Sequence, residues 1–185
     1  MPAATASPWI VRFLEAVPPT ARVLDFAAGT GRHATFAAAA GRTVTAVDRD
    51  VEPLRSVARN PAAGTIEAVA ADLESGEWPF AAAAFDVVIV TRFLHRPRLA
   101  LLPALLAPGG LLLYETFAQG QARHGRPSNP AFLLAPGELL ALARGARLHV
   151  LAYEDGEDLA PVPARVQRIA ALRAPVDLAR HALRR

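Results

Sequence analysis

The sequence predicts a doubly wound α/β fold, with seven strands in a mostly parallel sheet and helices on both faces. Strand-like and helix-like segments alternate along the chain, which is typical of βαβ units in a parallel sheet. The run Val87-Val88-Ile89-Val90 has the unbroken apolar composition of a strand buried on both faces. The short acidic segment 154–158 suggests a hairpin turn, so we expect the last strand to be antiparallel to its neighbour.

Capping residues, chain breakers and apolar runs define the predicted elements in order. Ser7 and Pro8 predict the start of a first helix, because serine is a favoured N-cap and proline is favoured in the first turn. Gly41 ends the second helix, and the Pro108-Gly109-Gly110 turn reverses the chain into the fifth strand. The helices are predicted over 8–17, 32–40, 51–59, 98–106 and 136–144, and the strands over 22–26, 43–47, 65–70, 87–91, 111–116, 147–153 and 164–172.

The composition describes a globular protein rather than a disordered one, with 52% apolar and 20% charged residues. All 20 basic residues other than histidine are arginines, which gives a pI of 10.4 at a net charge of only +3. No basic run is interleaved with aromatic residues, and only the tail 180–185 is locally basic, so we do not expect nucleic acid as the main partner. The absence of cysteine excludes disulfides and thiolate metal sites, and we predict no metal site.

The sequence carries the pattern of neither a signal peptide nor a membrane span. The N-terminus lacks a charged region followed by an apolar run. The longest apolar stretch, Leu99 to Tyr114, is interrupted by Pro103, Pro108 and two glycines, which would break a spanning helix. We therefore expect a cytoplasmic protein with no membrane partner.

Residues 23–34 are the most informative segment, because an apolar strand, a glycine-rich turn and a helix start follow one another there. Gly29 and Gly31 allow positive φ and a close approach of the backbone to a ligand. The helix that begins near Arg32 directs its free N–H groups and the positive end of its dipole at the same place. This arrangement predicts a site for the polar end of a nucleotide-like ligand.

Two ligands compete for this turn. The spacing from Gly29 to Ala34 satisfies the G-x-G-x-x-A dinucleotide pattern, and Asp48 follows at nearly the right distance to bind ribose hydroxyls, as in an NAD-dependent oxidoreductase. However, Asp25 would repel the pyrophosphate of NAD, whereas it would attract a ligand with a cationic amino-acid end. The acid therefore favours the second kind of ligand.

These residues resemble the class I S-adenosylmethionine-dependent methyltransferases, whose motifs occur in the family's order over about residues 20–117. The resemblance implies a Rossmann-like fold, S-adenosylmethionine as cofactor, and a seventh strand that is antiparallel. The matching segments are Val-Leu-Asp-Phe-Ala-Ala-Gly-Thr-Gly at 23–31, the second strand with its acid at 44–48, Ala-Asp-Leu at 71–73, the fourth strand at 85–94 and the Pro-Gly-Gly strand at 106–114.

One departure from the family pattern is Ala27, which replaces the first glycine of the first motif. We expect a φ below zero there and a slightly altered turn. Alone, Asp48 could be a helix N-cap and Asp72 a turn former, but together they favour the cofactor. The predicted cofactor-binding residues are Asp25, Ala27, Gly29, Gly31, Asp48, Arg49, Asp72, Leu73 and Thr91.

The acceptor side is expected at the carboxyl ends of the fourth and fifth strands. His95 is a candidate base or orienting group, with helix capping as the alternative, and Glu115 with Thr116 could bind or deprotonate the acceptor or hydrogen-bond the following loop. The predicted catalytic residues are His95 and Glu115, and the predicted substrate-side residues are Trp9, Arg96, Arg126 and Asn129. Trp9 could stack on the ligand or pack on the core, and Arg123, His124 and Arg126 could clamp an anionic acceptor.

The sequence thus predicts a methyltransferase with one domain over 1–185, in which 1–19 form a helix and pocket cover and 118–135 a substrate-side loop. Residues 129–140 resemble the substrate-side segment of small bacterial methyltransferases of the tellurite-resistance and thiopurine type, which favours a small-molecule acceptor. The alternatives are an RNA or protein methyltransferase and a non-catalytic cofactor-binding regulatory subunit. We expect a monomer or a homodimer.

Overall fold

The computed structural model describes residues 5–60, 64–159 and 162–178, so the basic tail at 180–185 and the start of the predicted pocket cover lie outside the described residues. Five helices are described: α1 (Pro8–Leu14), α2 (Arg32–Ala39), α3 (Glu52–Ala58), α4 (Arg96–Leu99) and α5 (Glu138–Gly145). Seven strands are described: β1 (Arg22–Phe26), β2 (Thr43–Asp48), β3 (Ile66–Ala70), β4 (Phe85–Thr91), β5 (Leu106–Phe117), β6 (His149–Asp158) and β7 (Ala164–Leu172).

The strands form one twisted sheet in the order β3-β2-β1-β4-β5-β7-β6. Strands β1 to β5 are mutually parallel, and β7 is antiparallel to both β5 and β6. The predicted Rossmann-like fold, with its antiparallel last strand, is therefore confirmed.

Both faces of the sheet are covered, and the apolar run in the middle of β4 contributes to the core on each face. In β4, Val87 and Ile89 pack with helices α1 to α3 on one face, while Val88 and Val90 pack with α5 on the other. All four side chains are fully buried. The parallel arrangement brings the carboxyl ends of β1, β2, β4 and β5 to one edge of the sheet, where ligands bind in folds of this type.

The fourth predicted helix is much shorter than expected. Residues Arg96–Leu99 form α4, and a separate 3-10 turn covers Leu102–Leu105. Pro103 lies inside the predicted helix, where it has no N–H to donate and its ring clashes with the preceding turn. The continuous helix over 98–106 was therefore a wrong prediction.

The Pro-Gly-Gly segment does not reverse the chain, because it lies inside β5. The pairing with β4 shifts from Phe85 opposite Leu106 to Val87 opposite Leu111, so extra residues bulge out of the strand. Gly109, at φ +76°, donates its N–H to the Arg173 carbonyl and supplies the conformation that the bulge needs.

The acidic segment at 154–158 is likewise not a turn, because it forms the second half of β6. Glu154 lies opposite Arg168 on β7, and Asp155 forms a salt bridge with Arg165. These pairs between neighbouring strands extend β6 to Asp158, and β7 begins at Ala164.

None of the helices within the described ranges is both long and apolar enough to cross a membrane.

Candidate functional site

The glycine turn lies between the end of β1 and the start of α2, as the sequence predicts. It is anchored by the Ala28 N–H, which donates to the Val47 carbonyl of β2 at 2.9 Å. Gly29 and Gly31 have φ values of +57° and +77°. Ala27 has a φ of +57° as well, so the expectation of a negative φ at this position was wrong. The fold around the turn imposes a left-handed conformation that alanine adopts only at a cost.

Asp48, at the end of β2, faces this turn. One carboxylate oxygen accepts the Gly29 N–H at 2.8 Å, and the other accepts the Asp50 N–H at 3.1 Å. The carboxylate therefore links β2 to the glycine turn and also lines a cavity beside it.

That cavity, which we call the Asp48 cavity, has a volume of about 550 Å³. Its polar side is formed by Asp48, Arg49 and Asp50, and its apolar side by Ala27, Leu73 and Phe93. The volume is that of a small-molecule site, and the division into a polar and an apolar side suits a molecule with a sugar and a flat base.

Asp72 stabilises the turn that follows β3, and its predicted role in cofactor binding stays a prediction. Its carboxylate accepts hydrogen bonds from the Ser75 hydroxyl at 2.6 Å and from the N–H groups of Glu74 and Ser75. The Ser75 hydroxyl, these two N–H groups and the nearby Arg49 guanidinium keep the pKa of Asp72 well below its usual value. Neighbouring Leu73, rather than Asp72, lines the Asp48 cavity.

Asp25 is fully buried beneath the glycine turn and lines neither of the two cavities described here. One oxygen accepts the Ala34 N–H at 2.9 Å, and the other has no hydrogen-bond partner among the described residues. Burial raises the pKa of Asp25 to about 7, while the bond from Ala34 and the charge of Arg32 oppose the rise. The side chain thus ties β1 to the first turn of α2.

His33 is a buried residue of this region to which the sequence assigned no role. Its Nε2 accepts the Ser7 N–H at 3.2 Å, so the neutral ring carries its proton on Nδ1, which lies 3.3 Å from the Thr91 hydroxyl. Burial, followed by repulsion from Arg32 and Arg92, lowers the pKa of His33 to about 3. The neutral ring therefore connects the N-terminal segment to the end of β4.

A second cavity, which we call the Arg32 cavity, lies between the N-terminal segment and the ends of β5 and β7. Its volume is about 450 Å³. Arg12, Arg32 and Arg92 supply cationic lining, and Trp9 and Phe117 are among the apolar lining residues.

Glu115, at the end of β5, is one wall of the Arg32 cavity. Its Oε2 accepts the Ser7 hydroxyl at 2.9 Å and the Arg168 guanidinium at 2.6 Å. Arg168 also pairs with Glu154 and Asp158 on β6. Ser7 occupies the N-cap position of α1 without a side-chain capping bond, because its hydroxyl binds Glu115 instead.

Trp9 packs on the core, and its predicted stacking on a ligand stays a prediction. It is 5% exposed and packs on Phe13, with 4.8 Å between the ring centroids, and it also contributes to the lining of the Arg32 cavity. Its indole N–H is buried without a partner among the residues that the structure describes.

Thr116 also lines the Arg32 cavity, whereas the other acceptor-side candidates line neither cavity. Arg96 donates to Glu138 at 2.8 Å and to the carbonyls of Ala131 and Leu133, so it fastens the 118–135 loop to α5. Asn129 caps a 3-10 turn by accepting the Ala131 N–H. His95 is the N-cap residue of α4 without a side-chain capping bond, and Arg126 is exposed.

Two of the three loop residues that could clamp an anion lie close to a carboxylate of this protein instead. Arg123 forms a salt bridge with Glu157 at 2.8 Å, and His124 lies 3.4 Å from the same carboxylate. The sequence did not predict Arg12, Arg32 and Arg92 as cavity residues. The only local indication was that Arg32 follows the glycine turn and Arg92 follows the end of β4. No cluster of three or more metal-binding side chains occurs within 5–60, 64–159 and 162–178.

Comparisons with known proteins agree with this geometry. Residues 23–110 match a family described as a methyltransferase domain. A sequence comparison with curated proteins gave no significant match.

Several solved structures share the fold. A SAM-dependent methyltransferase from Methanosarcina mazei is 18% identical at a TM-score of 0.70, with 92% of this chain and 99% of that one covered. TehB from Haemophilus influenzae is 17% identical at a TM-score of 0.75, over 91% of this chain and 62% of that one. A Burkholderia thailandensis 1,6-didemethyltoxoflavin-N1-methyltransferase, solved with 1,6-didemethyltoxoflavin and S-adenosylhomocysteine, is 22% identical at a TM-score of 0.67, over 92% and 77%.

Proposed function

We propose that the chain is an S-adenosylmethionine-dependent methyltransferase that transfers a methyl group from this cofactor to a small-molecule acceptor. The match of residues 23–110 to a methyltransferase domain supports this proposal. The observation that carries the proposal is the pair of cavities at one edge of the sheet, on either side of the glycine turn.

The Asp48 cavity fits the adenosine part of the cofactor. The Asp48 carboxylate is an acceptor for ribose hydroxyls, while Leu73 and Phe93 offer apolar contact to the base. The turn at Gly29 to Gly31 is suited to the amino-acid end, because Gly29 carries no side chain and the space beside it is open, which lets a ligand come close to the backbone.

When bound, the cofactor supplies an electrophilic methyl group on a sulfonium. The chain's own contribution is then to hold the acceptor in line and to exclude water, since this displacement has a good leaving group. Ser7, through its bonds to His33 and Glu115, holds the N-terminal segment against the Arg32 cavity. We propose that this segment shields the reacting groups from solvent.

Glu115 is best suited to orient the acceptor and the N-terminal segment. Its Oε2 already accepts two hydrogen bonds, from Ser7 and Arg168, which hold the carboxylate in one position beside the cavity. His95 remains a predicted base without a contact that supports or opposes that role.

A small acceptor is favoured because the Arg32 cavity has the volume of a metabolite site and is bordered by the N-terminal segment on one side and by β7 on the other. The test is to incubate the protein and methyl-labelled S-adenosylmethionine with three possible acceptor sources in separate reactions: a small-molecule extract, total RNA and total protein. We expect label in the small-molecule fraction, and loss of that label with Asp48→Ala.

Each other outcome has a distinct meaning. Label in RNA or protein alone would contradict a small acceptor and support the macromolecular alternative. Binding of S-adenosylhomocysteine without label in any fraction would support a regulatory subunit instead.

A further inference from the structure

The Arg32 cavity holds three arginines that have no salt bridge within the described residues. Arg12, Arg32 and Arg92 line it, and none of them lies within 4.0 Å of a carboxylate oxygen. The segments outside the described ranges contain no aspartate or glutamate. The side chains of this protein therefore offer these cations no further carboxylate partner.

Arg168, at the same cavity, shows the contrast. It binds Glu115, Glu154 and Asp158 together, so its charge is more than balanced. Arg12, Arg32, Arg92 and Arg168 line the cavity together with the three acids Glu115, Glu154 and Asp158, so the lining keeps a net positive charge. The three acids bind Arg168, which leaves Arg12, Arg32 and Arg92 without a salt bridge among the described residues.

Arg32 and Arg92 repel each other at this place. Burial and the nearby charge of Arg92 both lower the pKa of Arg32, and the same two guanidinium groups help to lower that of His33. The charges of Glu115 and Asp25 offset part of this effect on Arg32. An anion bound between the two guanidinium groups would reduce their repulsion further.

Arg92 is also held in an unusual conformation. It has a φ of +53°, which non-glycine residues rarely adopt, and its backbone N–H donates to the Glu115 carbonyl at 2.9 Å. Its guanidinium lies 5.8 Å from the centre of the Phe117 ring. Backbone strain of this kind is tolerated most often at ligand sites, and here it directs a cation to the end of β4.

We propose that the methyl acceptor is a small organic anion, whose carboxylate or similar oxyanion binds Arg32 and Arg92 while its apolar body contacts Phe117. This inference rests on the proposed function, because it names the substrate class of the same site. Arginine suits such a group, since its planar guanidinium binds two anionic oxygens at once.

A carboxylate could reach these arginines from the acceptor or from the cofactor's own methionine end. The experiment separates the two by working with S-adenosylhomocysteine already bound. Benzoate serves as the carboxylate probe, and benzamide serves as its neutral counterpart of nearly equal shape. Calorimetric titrations measure the affinity for each.

We expect benzoate to bind the S-adenosylhomocysteine-loaded protein at least about tenfold more tightly than benzamide. Arg92→Gln and Arg32→Gln should each weaken benzoate binding about tenfold or more and leave benzamide unchanged. Arg55→Gln is the matched control, because Arg55 is an exposed arginine on α3 that pairs with Glu52. It should bind benzoate as the wild type does.

Equal affinity for the two probes, or no benzoate binding up to about 10 mM, would overturn the proposal. It would also fail if Arg92→Gln weakened S-adenosylhomocysteine tenfold and left benzoate unchanged, since the cation would then serve the cofactor. If the wild-type protein did not bind S-adenosylhomocysteine at all, that result would instead refute the proposed function itself. The comparison of the two probes on the wild-type protein stands even if a variant does not fold.

Discussion

Two buried titratable residues, Asp25 and His33, have opposite effects on the pH dependence of the free energy of unfolding. The pKa of Asp25 is raised to about 7, so its contribution to stability is present at acidic pH and is lost as pH rises from about 4 to 7. The pKa of His33 is lowered to about 3, so its contribution is present above pH 6.5 and is lost as pH falls toward 3. Between pH 4 and 6.5 the two slopes partly cancel.

In Asp25→Asn, the pH dependence of stability that His33 causes should no longer be offset by Asp25. Asparagine can accept the Ala34 N–H and carries no charge, so the free energy of unfolding should rise from pH 4 to 6.5 more steeply than in the wild type. At pH 8 the variant should be the more stable protein, by about 1–4 kcal/mol. Urea unfolding across this pH range measures both effects, and parallel pH profiles for the two proteins would contradict a raised pKa for Asp25.

Asp48 should contribute directly to cofactor affinity. Asp48→Ala removes both the predicted acceptor for ribose hydroxyls and the acceptor of the Gly29 N–H, so S-adenosylhomocysteine should bind about 1–3 kcal/mol more weakly. Asp48→Asn keeps an acceptor for Gly29 and should lose less. Calorimetric titration compares the two variants, and an unchanged affinity in Asp48→Ala would remove Asp48 from the site.

At the scale of the elements, the glycine turn carries strain that the sequence did not reveal. Ala27 has a left-handed conformation at the place where the family has glycine. Ala27→Gly should therefore stabilise the protein by about 0.5–1 kcal/mol, even though glycine also gains freedom in the unfolded chain.

Ala28→Gly is the matched control for that variant. Ala28 lies next in the turn, does not have a positive φ and is almost fully buried, so the same substitution should destabilise the protein. Thermal unfolding measures both variants. Equal destabilisation by the two would contradict a strained backbone at Ala27.

The β6–β7 hairpin depends on the charge of Arg168. Arg168→Met should leave Glu115, Glu154 and Asp158 close together without their common cation, at a cost of about 2 kcal/mol in unfolding free energy. Arg123→Met is the control, since the exposed pair of Arg123 with Glu157 should contribute less than about 1 kcal/mol. Hydrogen exchange at 154–158 should rise in the first variant only, and equal exchange in both would argue against this network.

At the scale of the whole molecule, the sequence predicted all seven strands because apolar runs and chain breakers are local signals. It missed the second half of β6, where acidic residues suggest a turn until their arginine partners on β7 are known. It also missed the shortening of α4, although Pro103 was visible, because one proline does not decide between a kinked helix and two short turns.

The candidate site was predictable only in part, for a similar physical reason. The turn, Asp48 and Leu73 follow one another in strand-end positions, which the topology brings to one edge of the sheet. The contacts of His33 with Ser7 and Thr91 join residues 26 and 58 positions away, and no local pattern specifies them. The organisation into a single domain stays a prediction.

The central claim is that the turn and the Asp48 cavity bind S-adenosylmethionine. Parallel calorimetric titrations with S-adenosylmethionine, S-adenosylhomocysteine and NAD test it most directly. We predict saturable binding of both sulfur ligands at one site per chain, weakened by Asp48→Ala, and no measurable heat from NAD. Tight binding of NAD without a response to either sulfur ligand would contradict the account.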